Sequence, residues 1–156
     1  MTPVSTCNKS QDAFWQPTRV GQAFALLVIT IGALLLVGCA ITRDKEDAQT
    51  VAAGIHQKII AGDFAAIYHE SAPPFKAVGS ESEFVAGLKG LQQKFGQLKN
   101  EDQVAYQTSL DSSIGQTHLL VFDLEFDHGR ARESLMFVRS AEGKMALWRL
   151  DIKPLD

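Results

Sequence analysis

The spacing of apolar positions changes twice along this chain. Between Val20 and Thr42 there is no charged residue, and residues 21–37 form one apolar run that closes at Leu36-Val37-Gly38-Cys39. From Asp44 the spacing becomes helical. Ala48, Val51, Ile55 and Ile59 recur at three and four, which predicts a helix over Asp44–Ala61. Asp44, Glu46 and Asp47 fall in its first turn, where the helix dipole favours acids. Gly62 stops this helix and Asp63 caps a short second one carrying Phe64, Ile67 and Tyr68, which Pro73-Pro74 ends. Ser80 and Glu83 then form a capping box. Phe84, Leu88, Leu91 and Phe95 make a helical stripe behind it, and Gly96 terminates the run.

From Asp102 onward the period is two. Four strands are expected, Gln103–Leu110, Gln116–Asp127, Arg130–Arg139 and Lys144–Lys153, separated by turn signals at Ser112-Ser113, His128-Gly129 and Glu142-Gly143. Connections this short make consecutive antiparallel hairpins. Leu120, Phe122, Leu124 and Phe126 share one strand face, with Asp123 and Glu125 on the other. In the fourth strand Ala146, Trp148, Leu150 and Ile152 are expected to oppose Arg149 and Asp151. A sheet with one apolar and one charged face is covered by helices on the apolar side. Asp123 or Glu125 is expected to pair across strands with Arg132 or Arg149 on the wet side. The predicted class is therefore α+β: N-terminal helices packed on a four-stranded antiparallel meander, preceded by a signal or anchor helix.

Charge narrows the partners. The net charge of -3 and pI near 5.8 leave no basic stripe for nucleic acid. Lys89, Lys94 and Lys99 recur every five positions and so spread around a helix rather than line one face. The two cysteines, Cys7 and Cys39, both precede the downstream domain, which leaves that domain without a disulfide framework, a CxxC metal pair or a cysteine nucleophile.

The N-terminal segment has a polar start with Lys9 and Arg19, then the apolar run, then small residues, the layout of a secretory signal. Leu36-Val37-Gly38-Cys39 resembles the bacterial lipoprotein signal, the lipobox, at all four of its positions. That resemblance implies cleavage between Gly38 and Cys39, a diacylglycerol on the Cys39 sulfur, and a mature chain that begins at Cys39. Residues 1–38 would then be the signal peptide, 39–46 a lipidated tether and 47–156 the domain. Ala40 follows the cysteine, where an Asp would imply retention at the inner membrane, so the resemblance implies the outer membrane, facing the periplasm. Two or three acyl chains anchor durably, at about 0.8 kcal/mol per buried CH₂. The alternative is an uncleaved inner-membrane anchor, since about 20 apolar residues span a bilayer.

Helices followed by a four-strand meander resemble the NTF2-like superfamily, in which helices pack into a curved sheet to form a cone. Within it, residues 62–152 resemble a secreted bacterial domain family of unknown function. The matching residues are Gly62-Asp63-Phe64, Pro74-Phe75-Lys76, Phe95-Gly96 and Trp148; Tyr68 and Phe84 stand where members often have Trp. The resemblance implies a fold and leaves function open, because sites rather than folds set function.

Candidate chemistry belongs in the cone interior. Alternation puts one acid, Glu133, on the apolar face with Leu135 and Phe137, and Tyr68, Tyr106, Thr108 and Trp148 are expected to line the same space. A carboxylate enclosed by apolar side chains holds its proton more tightly than one in water and can pass it on. A one-residue slip in register would instead turn Glu133 to solvent. His56, His69, His118 and His128 show no metal-ligand spacing. No Gly-rich phosphate loop and no GxSxG is present. The expectation is a non-catalytic domain with no metal and no cofactor, binding a small ligand or an envelope protein, or self-associating through its sheet. The alternative is a small isomerase- or dehydratase-like enzyme using Glu133.

Overall fold

The computed structural model describes residues 43–140 and 142–155. The apolar run, Gly38 and Cys39 lie outside the described residues. Helix α1, whose described part runs 43–61, buries Ala48, Ala52, Ile55, His56 and Ile59, which fall on one face at spacings of four, three, one and three. The helix runs through the expected Asp44–Ala61 span and includes Arg43. Its first described turn is clasped by Arg139, whose Nη2 donates to Asp44 and, at 2.7 Å, to Asp47.

Asp63 caps α2 (Phe64–Glu70) by accepting from Ala66 N at 3.3 Å. Pro73-Pro74, expected as a helix end, instead opens a further helix, α3 (Pro73–Val78). The first helical position needs no N–H, so proline suits it. Tyr68 Oη donates to Lys76 O and Gly79 O, at 3.2 and 2.9 Å, and so ties α3 to α2. Helix α4 (Glu81–Phe95) has the expected capping box: Glu83 N donates to Ser80 Oγ and Ser80 N to Glu83 Oε2. Gly96 ends it with φ +83°, against Asp127, which accepts from Gln97 N at 2.7 Å. His128 N also donates to Phe95 O, so the corner after α4 is laced to the turn at Asp127-His128.

The strands are β1 (Leu98–Asp111), β2 (Gly115–Phe126), β3 (Gly129–Arg139) and β4 (Met145–Leu155), in sheet order β1-β2-β3-β4 with every pair antiparallel. β1 starts five residues before its expected bound, and breaks in its register lie at Leu98/Asn100 and Gln103/Ala105. The expected period-two face of β4 is corrected. Phe137 pairs with Leu147 and Met136 with Arg149, which leaves Trp148 as an extra, bulged residue. Leu147 therefore takes the core position that alternation gives to Ala146 and Trp148. Beyond the bulge Leu150 and Ile152 keep the expected face, opposite Leu135 and Glu133. The interior is filled by Leu120, Phe122, Leu124, Phe126, Leu135 and Phe137 from the sheet, against Phe64, Ile67, Leu88 and Phe95 from the helices. On the other face Asp123 and Arg132 sit opposite each other and pair at 2.7 Å, while Arg149 pairs with Asp151 of its own strand.

Candidate functional site

Glu133 lies between Phe122 on β2 and Ile152 on β4. Its side chain is 0% exposed and meets His56 of α1, 1% exposed, with Oε2 and Nε2 2.6 Å apart. This is a hydrogen bond that either partner can donate. The His56 ring stands edge-on to Phe122, with centroids 4.8 Å apart, and its Nδ1 lies 3.7 Å from Glu101 Oε1 on β1. Glu133 Oε1 is buried with no hydrogen-bond partner. The pair can share a proton, and packed side chains enclose it, with Phe122 against the imidazole.

Tyr106 and Thr108 belong to a different cluster. Thr108 Oγ1 donates to Tyr106 Oη, which lies 3.0 Å from His118 Nδ1. His118 is buried, and its Nε2 is 3.9 Å from the Asp44 carboxylate that Arg139 also holds. Burial pushes the His118 pKa down, with Asp44 opposing and Arg139 reinforcing the shift.

A groove of about 800 Å³ runs between α2–α4 and β4, with Tyr68, Phe75, Val78, Phe84, Leu88 and Leu91 on the helical side and Trp148–Ile152 on the strand side. Phe75 and Phe84 pack edge to face at 5.3 Å, and Tyr68 leans on both. Ser80 and Glu83 sit at its border, already bonded to each other in the capping box. Those bonds from the Ser80 backbone and side chain hold the Glu83 carboxyl below its ordinary range.

The five residues expected to share one space are thus divided. Tyr68 and Trp148 line the groove, Tyr106 and Thr108 flank His118, and Glu133 is sealed in the core with His56. Sequence reasoning missed His56 and the Phe75–Phe84 wall. His56 carried a usable signal, because it falls four residues after Ala52 and eight after Ala48 on the buried face of α1. Among the described residues no group of three or more potential ligands is arranged for a metal ion.

No protein-family model and no curated protein matches the chain. Among solved structures it is similar to a protein from Catenulispora acidiphila, at 12% identity over 74% of this chain and 94% of that one, with a TM-score of 0.54. It is also similar to ActVI-ORFA from Streptomyces coelicolor, at 17% identity over 72% and 96% of the two chains, with a TM-score of 0.49. Bd1075 from Bdellovibrio bacteriovorus gives 13% identity over 73% and 41%, also with a TM-score of 0.49. Likeness at this identity concerns the fold alone. Helices on one face of an open four-stranded antiparallel sheet, in this order, make the fold NTF2-like.

Proposed function

We propose that the chain is a lipid-anchored envelope protein whose NTF2-like domain binds an apolar partner in the groove between α2–α4 and β4 and performs no chemistry of its own. The observation that carries this reading is the groove itself. Its volume of about 800 Å³ falls in the range of ligand sites, its walls are aromatic and aliphatic, and its polar border residues bond one another. An apolar dye whose emission rises out of water tests it. Dye bound in the groove should take energy from Trp148, and Phe84→Glu should abolish binding while the far-ultraviolet CD spectrum stays unchanged. Binding that survives this substitution would sink the proposal.

The competing reading, acid–base chemistry at Glu133, draws on the partnerless Oε1. Glu133→Gln should leave dye binding unaltered, and loss of binding in that variant alone would favour the competitor. The anchor rests on Leu36-Val37-Gly38-Cys39. Among the described residues no helix is long and apolar enough to cross a membrane. Cells fed labelled palmitate should label the wild type and leave Cys39→Ser unlabelled and uncleaved; label retained by the variant refutes the anchor.

A further inference from the structure

We propose that the natural occupant of the groove is an extended peptide segment that adds a fifth strand to the sheet along β4. This rests on the groove being the binding site and specifies what fills it. β4 is the last strand of the sheet, paired with β3 on one side only. On its other edge, among the described residues, one backbone hydrogen bond is made, from Ala72 N to Leu147 O at 2.8 Å. From Trp148 to Ile152 the outward N–H and C=O groups have no backbone partner among the described residues, and these five consecutive residues form the strand side of the groove. An open strand edge thus runs along the side of an apolar trough.

The two features together select the chemistry of the occupant. A purely apolar molecule would cover the side chains and strip water from the strand edge, leaving its donors and acceptors unsatisfied. An extended peptide meets both demands: its backbone pairs with the edge, and every second side chain enters the trough between Phe84, Leu88 and Leu91. Charge sets the intervening positions. Arg149 and Asp151 project together from β4 and bond each other at 2.6 Å. A segment with an acid beside Arg149 and a base beside Asp151 extends that pair into a cross-strand network. Lys153 and Pro154 follow at once, a charge and a residue without an N–H, the devices by which exposed strand edges are protected. The unprotected edge therefore coincides with the groove.

The test uses the full chain in detergent and fluorescent peptides of about ten residues, a usual strand length. The set alternates Val, Ile, Leu or Phe with polar residues, with an acid and a base two positions apart in either order. Each peptide has a twin N-methylated at alternate residues, so that the twin keeps its side chains and loses donors. Binding by a member of the set, slowed amide exchange over residues 148–152, and weakening by about tenfold or more in the twin are expected. Val78→Asp, at a rim residue that is 89% exposed and bears little of the fold, should weaken the same peptides. Equal binding by the twins, or protection elsewhere than 148–152, overturns strand addition. If no peptide binds while the apolar dye does, the strand inference falls and the groove reading stands; if neither enters, both fall.

Discussion

Removing Glu133 alone should harm this domain far more than removing it together with His56. The two side chains are 0% and 1% exposed and 2.6 Å apart, with Phe122 against the imidazole and Phe122 and Ile152 flanking Glu133 on the neighbouring strands. Glu133→Leu fills most of the vacated volume, so the cavity term is small. What remains is an imidazole cut off from water and from its partner. Breaking one side of a buried pair in this way costs about 3–5 kcal/mol. His56→Leu should cost about as much, because it leaves the buried Glu133 carboxyl with no hydrogen-bond partner at either oxygen. The double variant replaces two polar groups by apolar ones of similar volume inside an apolar shell, a change that is often neutral or stabilising by about 1–4 kcal/mol. Urea unfolding followed by Trp148 fluorescence and CD measures all four corners of the cycle. If Glu133→Leu shifts stability by no more than a surface change, about 0.5 kcal/mol, or if the single effects simply add, the pair is not coupled in the way its geometry requires.

Two further substitutions probe other parts of the fold. Gly96→Ala should destabilise by about 2 kcal/mol or more, because φ is +83° there and a Cβ would come within 2.6 Å of Asp127 Cβ; a thermal melt unchanged from wild type would contradict this. His118 has its pKa lowered by burial, so the fold favours its neutral form. Its contribution is fully present above the unfolded value of about 6.5 and is lost as pH falls below that towards the lower folded value. His118→Gln should accordingly flatten the decline of Tm between about pH 7 and 5, and parallel curves for the two proteins would refute the assignment.

Local signals were legible in the sequence and pairing signals were not. The capping box of α4 is written within four residues, and both of its bonds form. The inward face of β2 follows from strict alternation in a strand paired on both sides without a break beside β3. The bulge at Trp148 is a property of β3 and β4 together, because a residue becomes extra only when the partner strand has nothing opposite it. Alternation within β4 therefore misassigns Ala146 and Trp148 and hides Leu147. Pro73-Pro74 punctuates the chain in either direction, and only the packing of α3 against β4 shows that it begins a helix. Glu133 could be placed facing inward from its own strand, but its partner stands 77 residues away on α1. The groove was missed for a related reason: Phe75, Phe84 and Trp148 come from three separate elements.

The Arg139 clasp on α1 sits where a pull from the N-terminal side would arrive. Tension arriving from the N-terminal side reaches the first described turn of α1. A helix held only by its own ladder opens one bond at a time under such a pull. Here Asp44 and Asp47 hand the force to Arg139, at the end of β3. β3 is bonded to a neighbour on each side, so its hydrogen bonds share the load in parallel. The clasp thus couples the first described turn of α1 to a strand that is hydrogen-bonded on both sides.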